Sequence, residues 1–97
     1  MSMNLLPGDE LFTADGQISD GHTVRIFSVH IISGGTAGVV NLRDGQDVSG
    51  TIRKTLTGTA SDGKTFNFAG GLRFENGCYY DEDANVTSAN IVYTREF

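Results

Sequence analysis

The residues best placed by type and spacing to do chemistry are Asp81, Glu82 and Asp83, with Asn85 close behind. Hard cations such as Ca²⁺ want several oxygen ligands, and D-x-D-x-N is how an EF-hand loop begins. The pattern then fails. Val86 stands where the loop needs its glycine, Val92 stands where it needs its closing glutamate, and no helical stretch flanks the segment. Asp and Asn also bond nearby backbone amides in turns. A solvated loop is therefore the expectation, and no metal ligand is assigned.

His22 and His30 are the only histidines. On an extended strand and its lead-in they would lie roughly 25 Å apart, too far to share a metal. G-x-S-x-G, C-x-x-C and H-E-x-x-H are all absent, so no nucleophile has a base beside it. His30 is expected on a sheet face, making a hydrogen bond or an interface contact. The run Gly34-Gly35-Thr36-Ala37-Gly38 is rich in glycine, but a phosphate cradle needs a helix N-terminus after it. Here a β-type run follows, so the segment reads as a turn. Paired carboxylates for glycoside hydrolysis would need a substrate cleft, for which a 97-residue chain has little room. No catalytic, cofactor-binding or metal-binding residue is assigned, and the chain is expected not to be an enzyme. The single cysteine, Cys78, lies in an apolar run. A disulfide scaffold calls for an even set, so Cys78 reads as a small buried hydrophobe.

The elements that would position these residues are strands. β-type runs cover 22–33, 38–43, 51–59, 64–68, 72–74, 78–80 and 86–94. Gly34-Gly35, Asp44-Gly45, Asp62-Gly63, Gly70-Gly71 and Asn76-Gly77 break them apart. Thirteen glycines and one proline fit tight turns between paired strands. Along 22–33, one parity holds Val24, Ile26 and Ile32 with Ser28 and His30, and the other holds Phe27, Val29 and Ile31 after Arg25. Apolar residues on both parities predict a central strand covered on two sides. Along 51–59, Ile52, Lys54, Leu56 and Gly58 oppose Thr51, Arg53, Thr55, Thr57 and Thr59. The threonine-rich side predicts a solvated or contact-making face.

This spacing predicts an all-β fold: a small antiparallel β-sandwich or barrel of seven to eight short strands, with an N-terminal arm. The length allows one domain. Residues 1–21 read as an N-terminal arm or edge hairpin and residues 22–97 as the β-sandwich domain. Leu5, Leu6, Leu11, Phe12 and Ile18 are the anchor points of the first segment. Six Phe and three Tyr are expected to carry much of the burial.

The net charge of −5 argues against a nucleic-acid partner, which needs a basic stripe, and against an anionic membrane surface. No run approaches the roughly 20 apolar residues of a membrane span. Residues 1–6 hold neither a basic region nor an apolar core for a signal peptide, which predicts synthesis in a cytoplasm.

Three runs between Ser33 and Tyr93 carry a family likeness. They are G-T-x-x-x-V-x-L-R-x-G at 35–45, F-x-x-G-x-x-F-x-x-G-C-Y at 68–79 and D-x-D-A-N-V-T at 81–87. On these the chain resembles small virion structural proteins of tailed bacteriophages, of the cyanophage type. Residues 1–21 are unmatched. The resemblance implies a non-enzymatic virion protein made in the host cytoplasm, foremost a capsid decoration or cement subunit that stabilises the head lattice. Its partners would be the major capsid protein or a connector, and copies of itself in a homo-oligomer. Leu5, Leu6, Leu11 and Phe12 of the arm, and Arg53, Thr55 and Thr57 of a sheet face, would make those contacts. The alternative is a head–tail connector or a tail or fibre module that binds a glycan or receptor. Tyr79, Tyr80 and Tyr93 beside the acidic loop would then be its exposed aromatics.

Overall fold

The structure is a computed structural model. It describes residues 5–18 and 22–96, with the side chains of residues 5–9 outside that description. Eight strands are present: β1 Leu5–Phe12, β2 Gly16–Ile18, β3 Thr23–Ser33, β4 Val39–Asp44, β5 Thr51–Thr57, β6 Gly63–Phe74, β7 Cys78–Glu82 and β8 Val86–Glu96. They form two antiparallel sheets of four, ordered β1-β8-β3-β6 and β2-β7-β4-β5. β1 pairs with β8, β2 with β7, β3 with β6 and β4 with β5. That is one long hairpin wrapped over itself, the jelly-roll form of the β-sandwich.

Among the described strands, β4 and β5 are the sole pair that is both consecutive and hydrogen-bonded. Every other connection crosses to the opposite sheet. The turn residues therefore stand at strand ends as expected, but most of them carry the chain between layers instead of joining paired neighbours. Asp44-Gly45 does open the β4–β5 hairpin, although its loop extends to Gly50.

β3 is central, flanked by β8 and β6. It is not covered on both sides, because the register shifts between Ile26 and Ser28 against both neighbours. A bulge inserts one extra residue and exchanges the faces beyond it. Val24, Ile26, Val29 and Ile31 consequently all point inward and are fully buried, while Ile32 is exposed. The two apolar parities of the sequence are one inner face, spliced at Phe27. Gly70-Gly71 likewise does not end a strand. Both residues have positive φ, 79° and 84°, and they fall in the break between the two stretches of β6 that pair with β3.

The core is mainly aliphatic. The four β3 residues pack with Ile18, Val40, Leu42, Leu56, Cys78, Val86, Ala89 and Ile91. Among the described aromatics, Phe12, Phe74 and Tyr80 are buried, and Phe66, Phe68 and Tyr93 are partly so. Aromatics thus carry part of the burial, with Tyr80 and Phe74 the largest fully buried side chains, while β-branched residues of β3 fill the centre. β1 and β2 are edge strands of different sheets, and they contribute Phe12 and Ile18 to the same core.

Candidate contact surfaces

The acidic loop is held by hydrogen bonds of its own. Arg43 Nε sits 3.0 Å from Asp81 Oδ2 in a half-buried ion pair, and Arg43 Nη1 also donates to the Gly50 carbonyl. The Asn85 amide donates to Asp83 Oδ1 at 3.0 Å, and the Glu82 amide donates to Asp15 Oδ1 at 2.8 Å. Among the described residues, no group of three or more His, Cys, Asp or Glu is arranged to hold a metal ion. The Tyr80 hydroxyl donates to Glu82 Oε1 at 2.8 Å. Burial raises the pKa of Glu82 from its ordinary value; the Tyr80 bond pulls the other way, and the charges of Asp15 and Asp83 add to the rise. Burial, the bond to Glu82 and the nearby carboxylates hold Tyr80 in its protonated form.

The three tyrosines do not make an exposed aromatic platform. Tyr80 is buried and its ring lies against Phe12, with centroids 4.7 Å apart. Tyr93 is opposite Ile26 on the inward side, and its hydroxyl lies 3.3 Å from Glu10 Oε1. Tyr79 alternates with Tyr80 and turns to the outer face beside Arg43. Cys78 is 1 % exposed, and burial, with the Asp44 charge, pushes its thiol up to about 12. His30 lies on the outer face, its Nδ1 2.6 Å from Thr65 Oγ1. It borders an open groove of about 620 Å³ with Ser61, Asp62 and the glycines 34, 35 and 63.

The expected contact residues fall in different places. Leu5 and Leu6 stand on β1 opposite Glu96 and Arg95, with side chains outside the described set. Leu11 is 64 % exposed. Phe12, its neighbour, turns into the core and is not available as surface. Thr55 and Thr57 lie on the outer face of β5, where Thr55 Oγ1 donates to Asn41 Oδ1 at 2.7 Å. Arg53 leaves that face. The register shifts between Leu42 and Arg43, so Ile52 takes the outer position opposite Arg43. The Arg53 guanidinium instead lies 5.4 Å from the Phe74 ring centroid and donates to the Arg73 carbonyl.

Two surface features were not read from the sequence. On the outer face of the first sheet, Leu11, Val92 and Ile32 are exposed apolar side chains on neighbouring strands. The face between them carries Ser28, His30 and Asn90. At the open side between β5 and β6, Lys54 Nζ is 5.9 Å from the Phe68 ring centroid and Lys64 Nζ 5.2 Å from that of Phe66. With Arg53 over the buried Phe74, three cations lie along the row of β6 rings, and the contacts at the half-open Phe66 and Phe68 contribute about 0.5–1 kcal/mol each.

No model of a known protein family matches this chain, and no curated protein does. Among solved structures, it is similar to a chain from work entitled "Bacillus endospore appendages form a novel family of disulfide-linked pili". The match covers 97 % of this chain and 88 % of that one, with a TM-score of 0.51 and 12 % identity. At that identity the likeness is one of fold.

Proposed function

We propose that this chain is a non-enzymatic building block of a multi-copy extracellular assembly. The observation that carries the reading is the outer face of the first sheet, where Leu11, Ile32 and Val92, on three neighbouring strands, are each exposed among polar side chains over a single buried core. A sheet face that mixes exposed apolar side chains with Ser28, His30 and Asn90 has the mixed composition of protein–protein contact surfaces. The fold likeness to a pilus subunit supports a polymer built from copies of one jelly roll. One property of that neighbour does not carry over. These 97 residues contain one cysteine, and it is buried, so they present no exposed thiol for a disulfide between copies.

The virion-type motifs at 35–45, 68–79 and 81–87 favour a second form of the same role: a capsid decoration subunit that coats a lattice made by another protein. Light scattering and electron microscopy of the purified chain over a range of concentrations separate the outcomes. Regular multi-copy particles or filaments support the polymer, and Leu11→Asp with Val92→Asp is expected to diminish them while leaving the β-type circular dichroism intact. A monomer that binds preformed phage heads supports the decoration form. A monomer that binds neither itself nor a lattice refutes the structural role.

A further inference from the structure

The charges of this molecule are sorted between the two open sides of its sandwich. One side is formed by β5 and β6, the end strands of their sheets; residues 51–74 hold four Lys or Arg against the single acid Asp62, and of the four, Arg73 is ion-paired with Glu75 and Glu96, so that Arg53, Lys54 and Lys64 make the cationic excess. Arg53, Lys54 and Lys64 project there over the β6 rings. Among the described residues, neither lysine forms an ion pair. The other side is formed by β1 and β2, the opposite end strands. Residues 5–18 hold three acids and no base. Glu10 and Asp15 stand there, with Glu82 of the adjacent β7.

We propose that copies of this chain join head to tail, the cationic β5/β6 side of one against the anionic β1/β2 side of the next. This deepens the assembly reading above and rests on it. The occupant is a second copy because the same molecule carries both halves of the charge match. β6 of one copy would lie beside β1 of the next and β5 beside β2, so each layer continues from copy to copy. Edge strands present unpaired N–H and C=O groups that favour such neighbours. Pro7 on β1 lacks an N–H, which interrupts any ladder there, so the charged side chains set the register and orientation. A contact between two different sides is heterologous, and it propagates into a filament or closes into a ring.

The test uses the full chain in sedimentation velocity at low and high salt. Wild type is expected to associate, and to do so less in high salt, where screening shortens the reach of the charges. Lys54→Glu with Lys64→Glu should weaken association at least about tenfold, and so should Glu10→Lys. Mixing these two variants should restore pairing, because each retains the native side that the other has lost. Glu10→Gln keeps the bond to Tyr93 and removes the charge, and is expected to weaken association without loss of fold. If Glu10→Lys associates as wild type while the lysine variant does not, the contact is two-fold through β5/β6 and the head-to-tail arrangement is overturned. If the lysine variant associates more strongly, the cations guard that edge and the proposal is overturned. If both variants assemble like wild type, this interface falls and the assembly reading stands. A wild type that is monomeric throughout overturns both.

Discussion

Replacing Tyr80 by Phe isolates one buried polar contact. The ring is fully buried against Phe12, so Phe keeps the packing and deletes the hydroxyl that donates to Glu82. A hydrogen bond to a charged group contributes about 1.5–3 kcal/mol. With Glu82 ionised, the loss should be about 2 kcal/mol, or a Tm roughly 8–16 °C lower for a chain of this size. The pH dependence gives the sharper check. Glu82 has a raised pKa in the folded chain, above its ordinary 4.5. Its stabilising contribution is therefore complete below the unfolded value and is lost as pH rises through the folded one. The Tyr80 bond opposes that rise. Deleting it raises the folded value further, so the variant loses more stability across the same window. The penalty should approach the ~1 kcal/mol of a neutral bond at pH values below that window and grow toward neutrality. Urea denaturation of both proteins from acid to neutral pH measures it. An equal penalty at every pH, or none at pH 7, would refute the assignment of Tyr80 as the donor that favours the ionised form of the half-buried Glu82.

Two further outcomes follow from burial. Deleting residues 1–20 removes β1, β2, Phe12 and Ile18. Each of those two side chains contributes about 1.5–3 kcal/mol of burial against a total of only about 5–15, so the truncated chain should lose its cooperative melt. A truncated chain with a sharp thermal transition would show that the first segment is dispensable. Cys78 should resist thiol reagents in the folded chain, since at pH 8 a thiol shifted to about 12 is thiolate on the order of one part in ten thousand. Reductant should leave any assembly intact, and rapid labelling of native protein would contradict the buried position.

What the sequence by itself determined is the local alphabet. Alternation and glycine turns are short-range properties, so the all-β class and the strands β3, β4, β5, β7 and β8 were legible, as was the burial of Cys78, whereas β1 and β2 were read only as an arm or edge hairpin and β6 as two pieces. The loop chemistry of Asp83 and Asn85 was legible for the same reason. Tertiary structure decided the rest. A turn dipeptide marks where a strand stops, but whether the chain then pairs with its neighbour or crosses the sandwich depends on distant partners. That is why most glycine turns proved to be crossovers. The bulges at Phe27 and at Arg53 exchange faces in mid-strand, and a strict two-residue period cannot register them. They bring Val29 and Ile31 inside and send Arg53 to the β6 rings. The acidic segment 5–18 and the basic segment 51–74 can be counted along the chain, but that they form opposite sides of one body cannot. They do so because the jelly roll places β1 beside β2 and β5 beside β6 at opposite ends of both sheets.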